Sequence, residues 1–64
     1  MKYPRLKARR VELGYSQDDM AKMLGISLST YCHKEKGKTS FNIEEIIKLV
    51  LFLNCKFEDI FLSR

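Results

Sequence analysis

Two short amphipathic stretches, separated by Gly25 and closed by Gly37, fill the run SQDDMAKMLGISLSTYCHKEKGK from Ser16 to Lys38. A glycine between two helical segments supplies the left-handed residue that turns the chain, so the two segments read as separate helices rather than one. Ser16 is placed to cap the first: its hydroxyl accepts from the amide of Asp19 while that carboxylate reaches back, a short-armed capping box. The apolar face of this helix is Met20, Ala21 and Leu24. Ile26 dips into the core after the turn, and Ser27 caps the next helix, predicted from about Leu28 to Lys36. That helix stands proud of the body, and the rest of the chain reads as its support.

The flanking segments are helical too. Pro4 suits the first turn of a helix running to about Leu13, with Leu6 and Arg10 one turn apart on one face and Gly14 supplying the stop. Tyr15 then packs inward between helices. After Gly37, Lys38-Thr39-Ser40-Phe41 form a short loop, and Asn42 caps a fourth helix with Glu45 in the matching position three residues on. That helix carries Ile43, Ile46, Ile47, Val50 and Leu53. Asn54 takes a left-handed stop, and a last turn or two from about Phe57 to Leu62 brings Phe57, Ile60 and Phe61 against the bundle. Nothing alternates with a period of two, so the expected fold class is all-α: a compact five-helix domain over residues 1–64, without repeat or linker.

With 64 residues, the chain makes one domain and buries only about 60% of the surface it exposes when unfolded, which leaves little room for an enzyme's cleft. Apolar residues at 45%, with one proline and three glycines, exclude a disordered chain. The net charge of +4 is lopsided: residues 1–38 hold nine Lys/Arg against four Asp/Glu, and residues 39–64 hold three against four. The front half is the half suited to face a polyanion, since neutralising phosphates releases counterions and drives affinity, although charge alone favours a solvated basic face without a partner.

Cys32 and Cys55 lack any C-x-x-C spacing, which argues against a disulfide scaffold or a zinc site and fits a reducing, cytoplasmic setting. There is no long apolar run for a membrane helix, and the start, MKYPRLKARR, lacks the apolar core of a secretory signal, so an intact intracellular chain is expected. Cys32 and His33 are adjacent on a helix and point about 100° apart, which does not make a nucleophile and base pair. No catalysis, metal, cofactor, membrane or small-molecule substrate is expected.

Helix, glycine turn and projecting helix together are the layout of a helix-turn-helix, whose second helix can read a DNA major groove. Arg10, Gly14, Ser16-Gln17, Ala21, Leu24-Gly25-Ile26-Ser27, Ser29-Thr30, Glu35-Lys36-Gly37-Lys38 and Ile43 carry a fuller likeness, which continues through Leu53-Asn54-Cys55 and Phe57-Glu58-Asp59-Ile60-Phe61. Over nearly its whole length the chain resembles the phage-repressor (Cro/CI, xenobiotic-response-element) helix-turn-helix family. The resemblance implies a lambda-repressor-like fold with the motif in helices two and three, and double-stranded DNA as partner.

By the same resemblance, Leu28, Ser29 and His33 fall at groove-facing positions, with Thr30 and Cys32 at their flanks. Leu28 offers apolar contact to a thymine methyl, Ser29 donates or accepts, and His33 suits a guanine acceptor edge or a phosphate. Gln17 resembles the glutamine that bonds a backbone phosphate and buttresses the recognition helix, its amide having a donor and an acceptor end. Ser27, Lys36, Lys38 and Thr39 fall where the family clamps phosphates. Arg10 and Glu35 match the family's interhelical ion pair, which fixes geometry more surely than it adds stability.

Three departures from the family pattern stand out. Lys34 occupies a position usually given to a buried aliphatic residue, so it is expected to snorkel outward with its ammonium toward phosphate. Leu51 and Phe52 replace polar or small residues on helix four, and Leu62 adds a further apolar group. Together with Phe57 and Phe61 they form a candidate dimer patch, extra intramolecular packing being the other reading. Family operators are two-fold sites read by dimers, which implies a homodimeric transcriptional regulator, a repressor that occludes a promoter. The alternative is a protein-interaction module, an antitoxin or phage accessory factor, built on the same fold.

Overall fold

The computed structural model describes residues 3–61. Five helices follow one another: α1 (Pro4–Glu12), α2 (Gln17–Leu24), α3 (Leu28–Glu35), α4 (Ile43–Phe52) and α5 (Phe57–Ile60). The fold is all-α, and no strand occurs among the described residues. Helix starts are set by side chains that satisfy the free amides of a first turn. Ser16 Oγ accepts from the amide of Asp19 at 3.0 Å and Asp19 Oδ2 accepts from that of Ser16 at 2.9 Å. Asn42 and Glu45 repeat the exchange at α4, at 2.8 and 2.9 Å.

Between α2 and α3, Gly25 sits at φ +74°, a left-handed conformation in which a β-carbon would be strained. The turn this permits lets the amide of Ile26 reach back to the carbonyl of Ala21 at 3.0 Å, and Ser27, extended, starts α3 directly. Asn54 takes the equivalent conformation after α4, at φ +52°. At that same corner Arg9 Nε donates to the carbonyl of Leu53 at 3.0 Å and Nη2 to that of Asn54 at 3.3 Å. The guanidinium thus satisfies carbonyls left open at a helix end and ties α1 to the α4–α5 turn.

The core joins Leu6 of α1, Met20, Ala21 and Leu24 of α2, Tyr31 of α3, Leu49 and Leu53 at α4, and Phe41, Ile60 and Phe61. Its aromatic half centres on Phe41, whose ring centroid lies 5.7 Å from those of Tyr3 and Phe61 and 6.2 Å from that of Tyr31.

The fold decides which face of α4 is inward and corrects the sequence expectation for Phe61. α4 turns Glu45, Leu49 and Leu53 inward with Ile46 and Val50 half-buried, so Ile43 and Ile47 face outward. Apolar residues surround most of this helix, and periodicity alone does not choose between its faces. Phe61 is 9% exposed, edge-on to Tyr3 and Phe41, and so belongs to the core rather than to a dimer patch. Phe57, Phe52 and Leu51 are exposed, Phe57 stacking on Phe61 and Phe52 lying against Tyr15. Leu62 lies outside the described residues.

Candidate nucleic-acid interface

α3 presents two unlike sides. Tyr31 and Glu35, four residues apart, point inward and are buried. Leu28, Ser29, Thr30 and His33 are exposed, Leu28 to 45%. The side chains of Leu28, Ser29 and His33 make no hydrogen bond within the described residues, and their outer edge is open. Thr30 is held at the helix start: its amide donates to Ser27 Oγ at 3.1 Å, and the Ser27 hydroxyl donates to Thr30 Oγ1 at 2.8 Å.

Glu35 anchors the inner side. Arg10 approaches its carboxylate with both ends of the fork, Nε to Oε2 at 2.9 Å and Nη2 to Oε1 at 3.4 Å, while Nη1 donates to the carbonyl of Tyr15 at 2.8 Å. Gln17 Nε2 donates to Oε1 at 2.9 Å and the Tyr31 hydroxyl to Oε2 at 2.8 Å. The thiol of Cys32 then donates to Gln17 Oε1 at 3.2 Å. Three helices and the loop before α2 are thereby locked to one buried carboxylate, and no buried side-chain N or O among the described residues lacks a partner.

Burial pushes the Glu35 carboxyl up, and the hydrogen bonds from Arg10, Gln17 and Tyr31 outweigh it, leaving the group below its ordinary value. Burial, followed by the Glu35 bond, pushes the Tyr31 phenol far above its usual range. Glu35 therefore remains an anion and Tyr31 a proton donor, the states this geometry requires.

Along the C-terminal end of α3 runs an open groove of about 590 Å³ lined by Tyr3, Pro4, Lys7, Gln17, Glu35, Lys36 and Lys38. It brings Gln17, Lys36 and Lys38 together and adds Lys7, which sequence reading passed over. Lys7 stands three residues before Arg10 on α1, and that one-turn spacing from a residue already tied to α3 was the signal available. Ser27 lies at the other end of α3, and Thr39 is exposed in the loop beyond Lys38.

Lys34 behaves otherwise than expected. Its side chain is only 14% exposed, and Nζ pairs with Glu45 Oε1 at 2.6 Å while lying 5.9 Å from the centroid of Phe41. The inward carboxylate of the α4 cap captures the ammonium, so Lys34 joins α3 to α4 instead of reaching outward. Burial raises the Glu45 carboxyl, and the Lys34 and Asn42 bonds bring it below its ordinary value. Cys32, half-buried, spends its thiol on Gln17 and stands behind the open edge.

The surface is thus a polar, exposed helix edge on a rigid anionic anchor, beside a lysine-rimmed groove. Residues 6–60 match the model of the helix-turn-helix family. An uncharacterized HTH-type transcriptional regulator of Methanocaldococcus jannaschii is 38% identical over 58 residues, covering 91% of this chain and 88% of its own. Another, from Archaeoglobus fulgidus, is 33% identical over 58 residues, covering 91% and 82%. Among solved structures, the restriction-modification controller protein C.AhdI of Aeromonas hydrophila superposes with a TM-score of 0.75 at 28% identity, covering 89% of this chain and 86% of its own. The chain belongs to the Cro/CI-type (xenobiotic-response-element) helix-turn-helix family of transcriptional regulators.

Proposed function

We propose that this chain is a sequence-specific binder of double-stranded DNA that regulates transcription, as a homodimer on a two-fold operator and as a repressor that blocks polymerase access. The observation carrying this reading is the open edge Leu28, Ser29, Thr30 and His33 on a helix whose opposite side is pinned through Glu35. A helix held this rigidly can present the same side chains to a major groove at every encounter. Ser29 and His33 supply hydrogen bonds to base edges and Leu28 an apolar contact suited to a thymine methyl. Lys7, Lys36, Lys38 and the second amide hydrogen of Gln17 line the path for one phosphodiester strand, with Thr39 beyond it.

The names of the relatives and of the controller protein agree with a regulatory role. The test is binding to duplexes selected from a random pool, followed across salt. Engagement of four to six phosphates gives a log-log slope of about −4 to −5. Binding without salt dependence, or none at all, would instead favour a protein-interaction module built on the same fold.

A further inference from the structure

We propose that the outward row of α4, Ile43, Ile47 and Leu51, is a self-complementary interface that pairs antiparallel with α4 of a second copy. This deepens the homodimer reading above and rests on it. The three residues are spaced by four, which aligns them along one side of the helix, and they are 69%, 51% and 75% exposed. Single exposed apolar side chains are ordinary on a small protein, but an uninterrupted row over two turns is not.

The flanking charges choose the occupant. Glu44 and Lys48 are both exposed, and from Ile47 they lie about 60° and 100° around the helix in the same direction, so one flank of the row carries both. The other flank is Val50 and Ile46, half-buried and apolar. A two-fold axis that makes the helices antiparallel keeps the charged flanks together and reverses their direction. With the two Ile47 side chains at the centre, Glu44 stands about 4.5 Å from it along the axis and Lys48 of the second copy about 1.5 Å away on the same side. Opposite charges therefore meet twice, once at each end of the row. Parallel pairing would set the charged flank against Ile46 and Val50, desolvating charges without partners. The pattern is its own complement, which is the requirement of an isologous interface between identical chains.

The experiment is sedimentation equilibrium of the full chain over a wide concentration range, free and with duplex, with circular dichroism to show that each variant folds. Ile47→Glu is expected to weaken self-association by at least about 100-fold. Lys48→Glu, which opposes carboxylates at both symmetry-related positions, loosens it by about 10-fold, and adding Glu44→Lys to it restores parent affinity to within about 3-fold. A dimer indifferent to Ile47→Glu, or a double reversal no tighter than the single one, overturns the interface and leaves the homodimer reading standing. A parent chain monomeric both free and on duplex overturns both and leaves the row to a partner of different sequence.

Discussion

Burial pushes the Glu35 carboxyl up, and hydrogen bonds from three residues, Arg10, Gln17 and Tyr31, more than offset it and hold it ionised. A group whose folded value is depressed contributes stability above its unfolded value, here 4.5, and loses it as pH falls through the depressed one. Urea unfolding should therefore show stability level near neutrality and declining below pH 4.5, with Glu45 acting in the same direction. Glu35→Gln should flatten part of that decline while lowering the neutral plateau, because Arg10 is then buried without an anion. Tyr31 works with the opposite sign. Its raised value means that stability present below pH 10.0 is lost as pH rises, and Tyr31→Phe should remove that alkaline dependence. Arg10→Met leaves the Glu35 charge uncompensated, at a cost of about 3–5 kcal/mol. At a temperature where the variant remains folded, it should bind operator at least about tenfold more weakly with an unchanged salt slope, since Arg10 faces Glu35 and not the groove. Parent-like affinity would show that α3 does not depend on this pair for its placement.

At the scale of helices, the glycine-split pair was the most legible part of the chain. Ser16, Gly25, Ser27 and Asn42 act through backbone groups a few residues away, so their spacing alone fixes where α2, α3 and α4 begin and where the turn falls. Gly25→Ala tests this directly. Nothing lies within 4 Å of the added β-carbon, so any loss comes from the left-handed backbone, about 1 kcal/mol and a melting temperature lower by about 4–8 °C. An unchanged melting curve would mean that α2 and α3 tolerate another turn. Facing was harder to read than position. On α4, Leu49 is buried in the core cluster and Ile47 exposed although both are aliphatic, because the choice of face depends on which side meets residues distant in sequence. Lys34 was misread for a similar reason: Glu45 is separated from it by 11 residues, and only the fold brings the charges together. Lys7 escaped notice because a groove is a property of three segments at once.

For the molecule as a whole, the cationic half of the sequence and the rim of α3 coincide. Lys7→Ala, Lys36→Ala and Lys38→Ala should each weaken duplex binding about equally on operator and on unrelated sequence and reduce the salt slope by about 1. His33→Ala or Leu28→Ala should instead lower operator preference and leave that slope unchanged. A filter-binding series at several salt concentrations separates the two outcomes. A lysine variant that alters base preference would place that lysine in the groove of the DNA rather than along its backbone.

Among the described residues, the side chains of Leu28, Ser29 and His33 make no hydrogen bond, whereas those of Thr30, Tyr31 and Glu35 beside them do. On the proposed function, choice of target is thereby separable from the scaffold. Exchanging those three side chains should redirect the protein to new operators with little change in melting temperature, so related chains can drift apart in what they recognise at almost no structural cost.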